Sequence, residues 1–207
     1  MTGALPANRL LGLYTARAPA ASGGVWDRVR AVQRFEAALR TRSSDAIAKT
    51  LPDAWGQMRR ANLELIFADL FAEALDRYAL SGAAGVIASD MLLLSRAYAQ
   101  AADNDSVPPL LRSLAGAEIE PPAPTTSREE AILLGFDSTR ARADLTAMAR
   151  NNRMGEALLR TLMLLDDGAA GDPLALTEAL ATLRAFGLED TARRAALQIL
   201  LLERFNS

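Results

Sequence analysis

The last part of the chain, residues 172–203, most constrains the fold because it carries the sequence signals of two helices joined by a tight turn. Asp172 can cap the first helix, and Pro173 fits the first helical position, where its missing N–H costs nothing. The first helix then has an apolar stripe at helical spacing, namely Leu176, Leu180, Leu183 and Phe186. Gly187 suits the left-handed conformation that ends many helices, and the acidic residues just beyond it favour a new helix start. The second helix has a facing apolar stripe, which completes an αα-hairpin and consists of Ala192, Ala196, Ile199 and Leu200.

The same spacing of three and four recurs through the rest of the chain, and no alternating β-branched run typical of a strand appears. We therefore predict an all-α protein of about nine to eleven helices, in antiparallel hairpins that form a bundle or a short α-solenoid. The further helices are expected near residues 8–17, 25–41, 44–49, 52–79, 82–101, 127–134, 137–150 and 154–166, with a shorter one ending at Gly116.

A degenerate repeat of about 35 residues is one interpretation of this pattern. Three segments align at offsets of 70 and 35 residues, and the alignment superposes Leu75 with Leu145 and Leu180, Gly82 with Asn152 and Gly187, and Leu92 with Leu162 and Leu197. The period is close to that of tetratricopeptide-type helix pairs, but the signature residues of that family are absent from the matching positions. Chance alignment in a chain rich in leucine and alanine is the alternative, and no family is assigned.

A proline-rich segment at residues 117–126 is the clearest break in the helical pattern. Its three prolines disfavour both helix and strand and favour an extended backbone. We predict an N-terminal helical part at 1–116 and C-terminal helical hairpins at 127–207, separated by this linker. The alternative is a long loop inside one continuous domain.

The chain contains no cysteine and no histidine, and this absence excludes most catalytic and metal-binding chemistry. Thiolate and imidazole ligands, cysteine nucleophiles and Ser-His-Asp triads are all impossible. The sequence also lacks a dinucleotide fingerprint, a P-loop, a nucleophile elbow and an H-E-x-x-H motif. We therefore predict that the protein is not an enzyme and that it binds no cofactor and no transition metal.

Five arginines in two adjacent predicted helices form the one candidate binding site, and they are Arg140, Arg142, Arg150, Arg153 and Arg160. Only Asp144 and Glu156 accompany them, and guanidinium groups recognise carboxylates and phosphates through paired hydrogen bonds. The alternative interpretation is a solvated surface with a local excess of positive charge.

The overall charge gives no reason to expect nucleic acid as a partner, because the net charge is -2 and the pI is near 5.3. No apolar stretch approaches the roughly 18 residues of a membrane-spanning helix. The N-terminal residues lack the basic start and long apolar region of a signal peptide. We expect a soluble protein, cytoplasmic by default and periplasmic if the chain is an excised part of an exported protein.

Abundant helix-forming residues without catalytic groups are typical of a scaffold or adaptor. We predict a non-catalytic helical scaffold that binds another protein or a peptide. The alternative is a helical accessory domain of an enzyme that acts on a cell-wall polymer. A cleft lined by an isolated glutamate with several Tyr or Trp would favour the accessory domain, whereas a groove without a buried acid would favour the scaffold.

Overall fold

The structure is a computed structural model that describes residues 25–206, and in this part the chain has ten α-helices, two short 3₁₀ helices and no strand. The all-α prediction is therefore confirmed, with helices packed against one another in hairpins. The predicted helix at 8–17 lies outside the described residues. By contacts between Cα atoms the chain divides into two compact units, Met1–Ala101 and Ala102–Ser207.

The first unit contains α1 (Val25–Thr41), α2 (Ser44–Arg59), α3 (Glu64–Leu75) and α4 (Gly82–Leu94), followed by a 3₁₀ helix at Tyr98–Asp103. The second unit contains α5 (Pro109–Ala115), α6 (Ser127–Gly135), a 3₁₀ helix at Ser138–Arg140, α7 (Ala143–Arg150), α8 (Met154–Ala170), α9 (Pro173–Ala185) and α10 (Glu189–Asn206). Residues 117–126 contain no helix and lie inside the second unit. Whether this segment separates independently folding parts, 1–116 and 127–207, stays a prediction.

The predicted long helix at 52–79 is wrong, because the chain breaks between α2 and α3. Asn62 adopts a left-handed conformation with φ 52°, and its N–H donates to the carbonyl of Arg59 at 3.0 Å. The N–H of Leu63 donates to the carbonyl of Met58 at 3.0 Å, which completes the paired hydrogen bonds of a Schellman helix end. Asparagine tolerates this conformation better than most residues, so Asn62 is the stop signal that the sequence analysis missed.

Pro52 does not start a helix as predicted but lies inside α2. A proline at this position removes one backbone hydrogen bond. Its side chain is exposed, while the buried face of the helix continues on both sides of it through Ile47, Leu51, Ala54, Trp55 and Met58. Packing of this face therefore holds the helix together across the proline.

Two further predicted helices are also interrupted. The one at 82–101 ends at Leu94, because Ser95 is extended with φ −85° and ψ 176° and its hydroxyl donates to the carbonyl of Leu92 at 2.8 Å. The one at 137–150 is broken at Arg142, whose backbone is extended and whose N–H donates to Thr182 Oγ1 at 3.0 Å. A hydroxyl group is involved at both breaks, from Ser95 itself in the first case and from Thr182 on α9 in the second.

Four aromatic side chains form the core of the first unit and come from three helices. Phe67 on α3 is fully buried, with its ring centroid 4.8 Å from that of Phe71 and 5.5 Å from that of Phe35 on α1. Trp55 on α2 lies 6.2 Å from Phe67. Phe67 is thus the point at which α1, α2 and α3 meet.

In the second unit, α9 is the central helix, and it packs against α6, α7, α8, α10 and the second 3₁₀ helix. Its buried residues cover most of its circumference, namely Ala175, Leu176, Thr177, Ala179, Leu180, Ala181, Thr182 and Leu183. Glycines let neighbouring helices approach closely, since a Cβ added to Gly168 on α8 would lie 2.6 Å from the Cα of Leu176. A helix buried on so many sides organises a bundle around itself.

The closing hairpin has the predicted local structure. Asp172 Oδ1 accepts hydrogen bonds from the N–H groups of Leu174 at 2.9 Å and Ala175 at 3.1 Å. Gly187 is left-handed with φ 78°, and the N–H of Leu188 donates to the carbonyl of Leu183 at 2.9 Å. These contacts confirm both the predicted cap and the predicted turn.

The predicted buried stripe of α10 is only half right. Ala192 and Ala196 are fully buried, but Ile199 and Leu200 are half-buried, and the fully buried leucines are Leu197 and Leu201. Because α10 packs against α5 as well as α9, its buried face is broader than one stripe and turned away from Ile199.

The positions aligned as a repeat, Gly82, Asn152 and Gly187, are all left-handed, with φ 60°, 59° and 78°. The repeat itself stays a prediction.

Candidate functional site

The structure places three of the five predicted arginines against carboxylates of the same chain. Arg142 contacts both Asp144 and Glu178, while Arg153 and Arg160 share Glu156. The five side chains therefore do not form one continuous cationic surface. Their use as an anion-binding site stays a prediction.

Arg142 joins the start of α7 to the central helix α9. Its guanidinium meets the Asp144 carboxylate with two bonds of 2.8 Å, and its Nη1 donates to Glu178 Oε2 at 3.2 Å. These hydrogen bonds raise the pKa of Arg142 and lower the pKa of Asp144 to about 2. The backbone N–H of the same residue is held by Thr182. The guanidinium and the backbone N–H of Arg142 thus form hydrogen bonds within the protein, and the residue links α7 to α9.

The other predicted arginines lie on exposed surface. Arg153 Nε donates to Glu156 Oε2 at 3.0 Å, and Arg160 Nη2 donates to Glu156 Oε1 at 2.8 Å. The hydrogen bond from Arg153 is the main reason that the pKa of Glu156 is lowered. Arg150 has no ion pair within residues 25–206. The pKa of Asp137 is lowered mainly by the hydrogen bond from the N–H of Thr139, and the positive charge of Arg140 lowers it further.

We expect the Arg142–Asp144 pair to stabilise the protein above about pH 4 and to lose this contribution as the pH falls towards 2. The folded pKa of Asp144 lies below its usual value, so the folded state holds the proton less tightly than the unfolded chain. Since both side chains are more than one-third exposed, the contribution should be below about 1 kcal/mol. Chemical denaturation should show that Asp144→Asn has a lower free energy of unfolding than the parent near pH 7. This difference in free energy should become smaller near pH 2. An equal difference at both pH values would contradict the assignment.

A groove between α8 and α10 is a concave surface of the second unit that no local sequence pattern indicated. It encloses about 680 Å³, and its lining residues are Arg128, Leu162, Leu165, Asp166, Ala169, Ala195, Gln198, Ile199, Leu202 and Glu203. In each helix the lining residues recur at intervals of three and four, some of them as adjacent pairs, so two helix faces flank the groove. Most of these side chains are apolar.

Arg128, near the start of α6, closes one end of this groove. Its Nη1 donates to the carbonyl of Ala169 on α8 at 3.2 Å, and its Nε lies 2.9 Å from Glu203 Oε2 on α10. The side chain of Arg128 is largely covered, and this bridge holds the C-terminal parts of α8 and α10 side by side. Arg128 therefore links the two helices at this end of the groove.

The chemistry available in the α8–α10 groove is limited. Of its two acids, Asp166 is exposed and Glu203 is paired with Arg128, and none of the described lining residues is Tyr or Trp. Within residues 25–206 no three carboxylates come together in a way that could hold a metal ion. The groove offers apolar surface with a few polar groups at its margin, which suits binding of an apolar side-chain stripe.

Comparison of the chain with protein-family models, with curated proteins and with solved structures finds no match. Among the helices of residues 25–206, none has both the length and the apolar character needed to cross a membrane.

Proposed function

We propose that this protein is a non-catalytic helical scaffold that binds a segment of another protein, or a peptide, in the α8–α10 groove. The observation that carries this proposal is the apolar lining contributed by two neighbouring helices. On α8 these residues are Leu162, Leu165 and Ala169, and on α10 they are Ala195, Ile199 and Leu202. Apolar side chains left half-exposed in a groove gain free energy when a partner removes them from water.

The shape of the groove favours a helical occupant. The helices α8 and α10 both pack against α9, and with Arg128 bridging their C-terminal parts they leave space for an element that contacts both. An amphipathic helix fits such a groove through residues spaced three and four apart. The bound segment would become the third helix of a small bundle.

The alternative function, an accessory domain of a cell-wall-polymer enzyme, has no specific support in this groove. A sugar polymer is bound by aromatic platforms, and its hydrolysis requires two suitably placed carboxyl groups. The α8–α10 groove contains neither aromatic lining residues nor an acid protected from water. The lining of the groove therefore matches an apolar protein segment better than it matches a sugar polymer.

The experiment compares Ile199→Gln, which places an amide in the middle of the groove, with Ile66→Gln, the same change at an exposed isoleucine of the first unit. Each purified variant and the parent are used to capture proteins from the source cells, and mass spectrometry identifies what is retained. The proposal is supported by a partner that the parent and Ile66→Gln retain and Ile199→Gln loses. The purified partner must then also bind the parent and Ile66→Gln more tightly than it binds Ile199→Gln.

Two outcomes would contradict the scaffold proposal. Partners retained equally by all three proteins would place binding outside the groove. Retention on isolated cell-wall polymer, abolished by Ile199→Gln, would instead favour the accessory domain. Circular dichroism of each variant confirms that the helical fold is kept before the captures are compared.

A further inference from the structure

Exposed apolar side chains in the described part of the chain are concentrated on α8. Four of the eight large apolar residues that are exposed within residues 25–206 belong to this helix, namely Met154, Leu159, Leu162 and Met163. The opposite side of α8 packs on the core through Ala157, Thr161 and Gly168. The helix therefore has a second apolar face, directed to solvent, that nothing in its own unit covers.

This outward face of α8, defined by Leu159, Leu162 and Met163, is flanked by charges of opposite sign. Arg160 precedes Met163 by three residues, and Asp166 and Asp167 follow it by three and four. The acids lie towards the C-terminus of a helix that has no basic residue in its last turn, so the helix dipole opposes their charge. A cation placed beside them would be stabilised.

We propose that a second copy of this chain docks on the outward face of α8, with the two α8 helices antiparallel about a twofold axis near Met163. Arg160 of each copy then lies level with Asp166 and Asp167 of the other, and the apolar residues meet in the middle. A twofold contact requires a surface that is complementary to itself. The order of Arg160, Asp166 and Asp167 along α8 meets this requirement in the antiparallel arrangement, whereas a parallel pair would oppose like charges at these positions.

The existing contacts of Arg160 are compatible with this arrangement. It donates one hydrogen bond to Glu156 of its own helix, and its guanidinium has further N–H donors for a second carboxylate. Only a few apolar side chains per copy are covered, so the interface belongs to the small, weak class and its population depends on concentration. Leu159 and Met163 do not line the α8–α10 groove, whereas Leu162 and Asp166 belong to both surfaces. The contact between copies goes beyond the proposed function, and it would hold even if the groove bound no partner.

A single cysteine tests the position of the axis. The chain has no cysteine of its own, so Met163→Cys provides one thiol per copy. Val86→Cys on α4 is the matched control, because Val86 is 60% exposed and Met163 is 62% exposed. Under mild oxidation we expect Met163→Cys to form a disulfide-linked dimer and Val86→Cys to remain mostly unlinked. Equal cross-linking of the two variants would overturn the proposed axis.

A charge exchange tests the antiparallel register. We expect Arg160→Glu and the double variant Asp166→Arg, Asp167→Arg each to self-associate about tenfold more weakly than the parent, because each opposes like charges at both ends of the contact. An equimolar mixture of the two should associate again, because opposite charges then meet at both ends of the mixed pair. The introduced glutamate of one variant faces the introduced arginines of the other, and the unchanged Arg160 faces the native acids. Sedimentation velocity over a concentration series measures the association of each charge variant and of their mixture. Circular dichroism is the control for folding.

Three results of this experiment would overturn the proposal. The first is a parent protein that stays monomeric to high micromolar concentration. The second is self-association that neither charge variant weakens. The third is a mixture that associates no better than its separate components, which would exclude the antiparallel pairing of Arg160 with the two acids.

Discussion

Replacing Phe67 with alanine is expected to lower the free energy of unfolding of the first unit by about 3–5 kcal/mol. Phe67 is 0% exposed and contacts aromatic rings on three helices, so truncation would leave a cavity where α1, α2 and α3 meet. The surrounding rings of Phe35, Phe71 and Trp55 cannot all move inward, because each is fixed by its own helix. The loss therefore includes the transfer of the side chain to water and the cavity that remains.

Ile66→Ala is the matched control for Phe67→Ala, since Ile66 is the preceding residue on α3 and is 42% exposed. It should cost less than about 1 kcal/mol, because much of the side chain is already in water. The two tryptophans, Trp26 and Trp55, both belong to the first unit, so tryptophan fluorescence during chemical denaturation reports on that unit. Similar losses for the two variants would mean that Phe67 is not at the centre of the core.

Gly168→Ala is expected to destabilise the second unit by about 1–3 kcal/mol, although alanine is the better helix former. A Cβ at Gly168 would lie 2.6 Å from Leu176 Cα and 2.7 Å from Leu176 N. These are backbone atoms of the central helix α9 and cannot turn aside as a side chain can. The substitution would therefore push α8 and α9 apart at the contact between Gly168 and Leu176.

Gly155→Ala, in the first turn of the same helix, is expected to change stability in the opposite direction. A Cβ there would meet no atom within 4 Å, so the gain in helix propensity should appear as up to about 1 kcal/mol of added stability. Far-UV circular dichroism is the appropriate measurement, because Trp and Tyr are absent from residues 102–207. If Gly168→Ala raised the midpoint as Gly155→Ala is expected to do, the close contact between α8 and α9 would be ruled out.

Local signals in the sequence determined the helix ends that depend on a few neighbouring residues. Asp172 caps α9, and Thr126 caps α6 by accepting from the N–H of Glu129 at 3.1 Å. Gly116 and Gly187 end their helices in left-handed conformations. These features were predictable because the competing conformations differ by side-chain to backbone contacts within one turn of the chain.

The candidate site was predictable only in part, for the same reason. The acids Asp144 and Glu156 were visible beside the arginines in the sequence, whereas Glu178 reaches Arg142 from 36 residues away. The α8–α10 groove had no local signal, since its lining comes from Arg128 and from two helices that are distant from it in sequence and that both pack against α9.

Apolar periodicity by itself determined that the chain is helical, but the tertiary structure decided which apolar residues are buried. Leu197 and Leu201 are covered and Ile199 is left at the groove, because α10 packs against both α5 and α9. Leu159 and Met163 are exposed on α8 although both are as apolar as the core residues. Helical spacing fixes which side chains share a face, but the free energy of burial depends on which neighbouring helix covers that face.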